Sequence, residues 1–377
     1  MNWQFGTNNK ISLRWSSISL LVFILCFVSI GRAQSRFAKL DEWMETNAKD
    51  MGGRIILVIY KDGNLIYEKS INVMTRRQKS MNNYIQKRLG GEPEANDYTL
   101  STRQPIASCS KWLSAALVMS FVDEGKLRLS DTVGSWLPVL SRHGKGGITI
   151  SECLAHLTGI KTPPLKESLK GMKNIRSMDQ AIEEIANMPM EGEPGKVFHY
   201  SNAGLQIAGA VIEKIGGKTF EELFSERIAS PLGLKNTDFG RKKVAFPAGG
   251  AYSTPEDYLI FLNMILNKGK FNGKQILTEK SVSEMEINRI GSEVRIAYSP
   301  ADAEGFGYGF GEWLGKNTEP DKPAEWATSP GLFGSYPWID NYNQYSAFLM
   351  SFYLNNKGRI ARYLELKKLV DATVQKN

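Results

Sequence analysis

The sequence predicts an α+β protein, an antiparallel sheet flanked by helices with an all-helical domain inserted into it. Three observations carry that reading. Strand-like runs occur near both ends of the chain, residues 104–247 between them read as mostly helical, and 377 residues with 42% apolar content suffice for a substantial core. The layout puts the sheet domain in residues 34–103 plus 248–377 and the helical domain in 104–247.

Residues 1–33 read as an export signal ahead of the globule. Lys10 and Arg14 form a basic start, Ile18–Ile30 is apolar except for Ser19 and Ser29, and Gly31-Arg32-Ala33 has a small-x-small cleavage pattern. The run is short for a membrane span, so cleavage after Ala33 is expected, with an uncleaved anchor as the alternative. Leu25 before Cys26 is too bulky for a lipoprotein signal. Cleavage lowers the formal charge from +8 to +5, too weak a bias to point to nucleic acid. Cys109 and Cys153 remain, both in apolar surroundings and expected as free thiols.

The elements follow in order. Arg36–Met51 has helical spacing, with Phe37, Leu40, Trp43 and Met44 on one side. Arg54–Tyr60 and Leu65–Ser70 are strands joined by the hairpin turn Lys61-Asp62-Gly63-Asn64. Met74–Asn96 is polar, with Arg76, Arg77, Lys79, Lys87 and Arg88 close together, and reads as a solvated excursion. Ser151 is a helix-cap candidate, and helices are predicted over Met178–Met188, Ala203–Ile215, Thr219–Ile228 and Thr254–Leu266. Strand character returns in Tyr308–Leu314, Leu332–Ile339 and Gln344–Leu354, and Ile360–Val374 is an amphipathic closing helix.

The chemistry is expected around Gln104–Leu117. A helix starting near Ser108 places Lys111 one turn on and on the same face. Serine is a poor nucleophile until a base takes its proton, and lysine serves as that base once its pKa is pulled down. Burial at a helix N-terminus supplies that condition, and backbone N–H groups there can face an oxyanion. S-x-x-K alone is weak, since a chain this long carries on the order of one or two by chance. A second constellation, His199-Tyr200-Ser201-Asn202, precedes a helix and offers Tyr200 as a proton relay, with Asn202 holding substrate or orienting Lys111. A third, Ser329-Pro330-Gly331-Leu332-Phe333-Gly334-Ser335, lets backbone at Gly331 approach a substrate and offers the Leu332 N–H to an oxyanion hole.

Taken together, their order and spacing resemble the serine hydrolases related to class C β-lactamases and D-alanyl-D-alanine carboxypeptidases. The resemblance extends through FVDEGKLRLSDTV, ITISECLAHLTGI, FHYSNAGLQIAGAVIEKIGG, IASPLGLKNT and GGAYSTPEDYLIFLNMIL. It implies Ser108 as the acylated nucleophile, Lys111 as its proton partner and Tyr200 as general acid and base. Asn202 then contacts substrate, and the N–H groups of Ser108 and Leu332 form the oxyanion hole. The family's penicillin-binding-protein fold matches the predicted layout. One departure is plain: Ser329-Pro330-Gly331 stands where β-lactamases and carboxypeptidases have K-T-G, so a carboxylate-binding cation is missing. The expected function is an exported serine hydrolase of small esters, amides or peptides, with the periplasm as the expected destination and secretion as an alternative, and with no metal or organic cofactor. The alternatives are a carboxypeptidase or β-lactamase, and a catalytically silent cell-envelope binding protein. His199 is expected to be a packing or rim residue. A Ser-His-Asp hydrolase or a metalloenzyme is disfavoured, because the sequence has no G-x-S-x-G, H-E-x-x-H or paired-cysteine ligand spacing.

Overall fold

The computed structural model describes residues 36–89, 96–164, 167, 175–240, 244–300, 303, 305–315, 319 and 321–375. The expected export signal, residues 1–33, lies outside them.

Helix α1 spans residues 36–47. Strands β1 (Arg54–Lys61) and β2 (Asn64–Asn72) follow, joined by Asp62 and Gly63 with φ of 51° and 79°. Two successive positive φ values are what a tight hairpin with right-handed twist requires, and Asp-Gly adopts them readily. From the far end of the chain come β3 (Gly307–Tyr308), β4 (Trp313–Leu314), β5 (Trp326–Thr328), β6 (Tyr336–Asp340) and β7 (Tyr345–Ser351). The seven form one sheet in the order β2-β1-β7-β6-β5-β4-β3, every neighbouring pair antiparallel. The β1–β7 pair joins the two ends of the chain, from Ile55 opposite Ser351 to Lys61 opposite Tyr345.

Strand alternation explains how β1 is buried on both sides. Ile55, Leu57 and Ile59 join an outer core with Leu40, Trp43 and Met44 of α1 and with Tyr363, Leu366 and Val370 of the closing helix Arg359–Val374. Ile56 and Val58 face the larger inner core, shared with the helical block. Two contacts of the outer core hold the closing helix: Tyr336 of β6 stacks on Tyr363 at 4.1 Å, and Trp43 Nε1 of α1 donates to Glu365 at 3.0 Å.

The inner core is built around a helix, Ser110–Asp123, whose residues Ser110–Phe121 are all buried. Ala203–Gly216 packs against it, and Pro255–Leu266 lies between it and the sheet. The latter opens as its Thr-Pro-Glu start predicts, with the Thr254 hydroxyl accepting from the Asp257 N–H at 3.1 Å.

Four local expectations are corrected. Arg76–Leu89, within the expected solvated excursion, is a helix that buries Asn82 and Gln86. The cap before Cys153 is Thr149 rather than Ser151, because Glu152 completes a reciprocal capping box with it. Tyr308–Leu314 is two short strands around a turn, since Gly311 takes a φ of 79°. The strand expected at Leu332 begins at Tyr336, because the Gly331 N–H bonds back to Ser335 O at 2.8 Å and folds the preceding segment into a turn.

Gly204, in the helix that follows Asn202, marks the tightest approach in the helical block. A Cβ there would lie 2.1 Å from the carbonyl oxygen of Cys153. Gly204→Ala is therefore expected to push this helix off the Ile150–Leu154 helix, costing about 1–3 kcal/mol. Thermal denaturation measures the fall in Tm, and an unchanged Tm would contradict the close approach.

Candidate active site

The nucleophile turn is held from several directions. Gln104–Pro105 pairs with Tyr252–Ser253, and the Ile106 N–H donates to Ala251 O at 3.0 Å. The chain then reverses at Ala107, whose φ of 48° is costly for a residue with a side chain. Ala107–Cys109 forms a 3-10 turn, and the α-helix starts at Ser110. Ser110 Oγ donates to Ala107 O at 2.6 Å and accepts from the Ala251 N–H at 3.0 Å, while Tyr258 OH donates to Cys109 O at 2.8 Å. These bonds hold the strained conformation and leave Ser108 half-exposed between buried neighbours. Cys109 and Cys153 are both buried and unpaired.

Lys111 is only 1% exposed. Its Nζ lies 2.7 Å from Ala248 O, 3.4 Å from Asn202 Oδ1 and 3.3 Å from Ser108 Oγ. Burial pulls its pKa down to about 7. A neutral amine has two N–H donors and one lone pair. Two of its three neighbours are acceptors with no proton to give. The lone pair is left for the third, the hydroxyl of Ser108.

Tyr200 reaches the same place from another element. The short strand Val197–His199 runs parallel to Arg295–Tyr298, and the Tyr200 N–H donates to Tyr298 O at 3.0 Å. The ring centroid lies 4.8 Å from Lys111 Nζ, 5.1 Å from the Trp313 ring, 4.7 Å from that of His156 and 6.0 Å from that of Tyr308. Burial raises the phenol above its usual range, with the Ser108 and Trp313 side chains opposing the shift, so the phenol stays protonated at neutral pH. His156 is held neutral mainly by burial and further by the nearby Lys111, and its Nε2 lies 3.0 Å from Tyr308 OH.

The segment before β6 closes the other side. Ser329 Oγ bridges two carbonyls, Ser108 O at 3.2 Å and Gly311 O at 3.0 Å. Gly331 passes so near the nucleophile turn that a Cβ would meet Ile106 O at 2.4 Å. Leu332 is 36% exposed, and its carbonyl accepts from Arg359 Nη1 at 3.1 Å. The buried guanidinium also donates to Tyr353 O at 3.2 Å and to Asn355 O at 3.4 Å, which fixes the turn to the closing helix.

A family model for beta-lactamase matches residues 51–369. The chain belongs to the beta-lactamase family. A relative in Mycobacterium tuberculosis, an uncharacterized protein, is 26% identical over 306 residues, covering 66% of this chain and 76% of its own. Among solved structures, a "putative beta-lactamase" from Bacteroides dorei superposes with a TM-score of 0.75 at 27% identity, over 90% of this chain and 99% of that one. EstCE1, a hydrolase with promiscuous acyltransferase activity, has the same fold, with a TM-score of 0.72 at 19% identity over 90% and 99% of the two chains.

Within this beta-lactamase-family site, the fold brings Ser108, Lys111, Tyr200, Asn202 and Gly331 around one point, with Leu332 beside it. Sequence reasoning missed the Ala248 carbonyl, the rings of Trp313, Tyr308 and His156, and Arg359. Ala248 has no side-chain signal, although the GGAYST stretch beside it did stand out. His199, expected as a packing or rim residue, is partly exposed and packs on the Tyr298 ring; its Nδ1 bonds to Glu191 Oε1 and its Nε2 lies 3.1 Å from Thr162 Oγ1. Heteronuclear NMR of the lysine side chains should show one amine titrating near pH 7, assigned by its loss in Lys111→Met. A Lys111 midpoint near the ordinary lysine value of about 10.4 would contradict the burial argument.

Proposed function

We propose that the chain is an exported serine hydrolase that cleaves a small ester or amide through an acyl-enzyme on Ser108. The observation that carries this reading is the amine geometry: Lys111, with its pKa near 7, has its lone pair left for the Ser108 hydroxyl. Lys111 takes the proton as Ser108 Oγ attacks the carbonyl carbon, and the oxyanion forms against the N–H groups of Ser108 and Leu332. Tyr200, protonated and beside both groups, passes a proton to the leaving group. Water then attacks the acyl-enzyme, Tyr200 and Lys111 moving the protons in reverse, and the acid departs.

Two further features bear on the substrate. Trp313, against which the Tyr200 ring lies, also lines a cleft of about 530 Å³ with Phe198, Ile296, Tyr298 and Phe306. A leaving group protonated by Tyr200 has this space beside it, lined by aromatic rings together with polar groups such as Asn288 and Ser299. Where beta-lactamases and carboxypeptidases carry the lysine of K-T-G, Ser329 spends its hydroxyl on backbone carbonyls. A neutral ester or amide fits that arrangement better than a substrate carboxylate. Residues 1–33 support export, with the periplasm as the expected destination.

The test is covalent labelling of the protein and its Ser108→Ala variant with a fluorophosphonate, a labelled penicillin and a short-chain nitrophenyl ester. The expected result is fluorophosphonate labelling and ester turnover that vanish in the variant, with weak penicillin labelling. Stable penicillin labelling at Ser108 would move the substrate to cell-wall peptides, and no labelling would leave the silent binding protein. The phosphonylation rate should rise with pH to a plateau above about 7, because only the uncharged Lys111 accepts a proton and that form is lost as pH falls below its pKa. A rate independent of pH between 5 and 9 would remove Lys111 as the base.

A further inference from the structure

The helix Arg76–Leu89, α2, is turned the opposite way to an ordinary surface helix. Its inner side buries Asn82 and Gln86, while Met81 and Tyr84 are 53% and 54% exposed. Large apolar side chains left in water while amides are buried are the informative departure from normal burial. Local contacts fix this orientation. Thr75 and Gln78 cap the helix reciprocally, the Thr75 N–H donating to Gln78 Oε1 at 2.9 Å and the Gln78 N–H to Thr75 Oγ1 at 3.3 Å. Gln78 Nε2 donates to Lys49 O at 2.8 Å, which ties the first turn to the segment after α1. A Cβ on Gly53 would lie 2.8 Å from Met74 Cα, so the chain entering α2 is pressed against the start of β1.

Charge gathers on the same outward side. The 14 residues hold Arg76, Arg77, Lys79, Lys87 and Arg88 and no Asp or Glu. All five cations are exposed, and none of them forms an ion pair among the described residues. At about 100° per residue, Arg76, Lys87, Tyr84, Arg77, Arg88 and Met81 fall in that order across an arc of roughly 140°. The Arg88 guanidinium lies 4.8 Å from the Tyr84 ring centroid, so cation and ring share one surface. Val73, just before the helix, is 52% exposed and adds to the apolar part. A merely solvated helix gains from carboxylates spaced one turn from its cations, whereas Arg76 and Lys79 are a like-charge pair at that spacing and cost α2 stability.

We propose that the outward face of α2 docks the protein on an anionic phospholipid surface, its cations against the phosphate headgroups and Met81, Tyr84 and Val73 in the interfacial layer. The charge is complementary to such a surface, since four to eight Lys and Arg on one helix suffice to attract an anionic leaflet. The apolar residues select lipid over other anions: aromatic rings settle at headgroup level and apolar side chains just beneath it. A soluble polyanion would use the charges and leave Met81 and Val73 in water. This surface is separate from the Ser108 site, and its role stands whether or not Ser108 is acylated.

The test is flotation of the protein with vesicles of phosphatidylcholine alone and of phosphatidylcholine mixed equally with phosphatidylglycerol, at low and high salt. Binding should be about tenfold or more stronger to the mixed vesicles and should fall as salt screens the headgroups. Arg77→Gln combined with Arg88→Gln should weaken it by about tenfold or more, each cation at an anionic surface contributing several-fold. Met81→Ser combined with Tyr84→Ser should weaken it several-fold by removing the inserted part. All four side chains are exposed, and thermal denaturation checks that both variants fold. Residues 1–33 are common to the proteins compared, so their apolar run produces no difference between them. Equal binding to both kinds of vesicle, or a preference for the mixed ones that survives the arginine changes, would overturn the proposal. Binding that the arginine changes abolish but the serine changes leave intact, with dextran sulfate captured equally well, would make the face a site for soluble polyanions instead. No vesicle binding at all would also overturn it and leave the face to an acidic protein.

Discussion

Lys111 lies on a helix whose residues Ser110–Phe121 are all buried, and its hydrogen-bond partners are a carbonyl, an amide oxygen and a hydroxyl, with no carboxylate among them. Desolvation of that one amine is the constraint on which the site depends. A charged ammonium there would lose its hydration without gaining a counter-ion, so the neutral form is favoured and a base becomes available near pH 7. The apolar length of the helix is therefore part of the chemistry as well as of the core. Had a carboxylate been placed against Nζ, the same burial would have produced a paired ammonium with no basicity to offer.

The surroundings of Lys111 come from four separated parts of the chain, and three of them are fixed by backbone contacts that need small residues. Gly204 lets the helix after Asn202 settle against Cys153, and Gly331 lets the turn before β6 settle against Ile106. The Ala248 carbonyl is aimed by a turn in which the N–H groups of Gly249 and Gly250 both bond to Phe246 O. Backbone packed on backbone leaves little freedom, which is how a hydroxyl, an amine and a phenol from different elements are kept in register. Tyr200 is steadied in another way, by the rings of His156, Tyr308 and Trp313.

Much of this was legible in the sequence, for reasons that differ by residue. Ser108 and Lys111 were readable because their spacing is set by a single helix turn, and Asp62-Gly63 because a hairpin turn has a narrow chemistry. Tyr200, Asn202 and the Ser329–Ser335 segment gained meaning only from their order along the chain, since Y-x-N also occurs at Tyr353 and Asn355. The segment after Ser329 was misread as strand because Leu332 and Phe333 are apolar, whereas the conformation is decided by Gly334 with a φ of 98° and by the Gly331 N–H bond to Ser335 O. Strand β5 escaped notice because a three-residue strand has no period to detect. The Ala248 carbonyl was out of reach altogether, since it is backbone.

The pairing of β1 with β7 has a consequence for timing. Ile55 pairs with Ser351 of β7, so the sheet cannot close until almost the whole chain has been made. Contacts this remote in sequence form slowly, because the loop between them must be ordered before the pairing repays it. The turn at Gly331 that rests on Ser108's own turn is placed by β6 and anchored by Arg359 in the closing helix. A growing chain therefore carries Ser108 and Lys111 long before the turn at Gly331 and the closing helix complete their surroundings, so the site is assembled only at the end of folding.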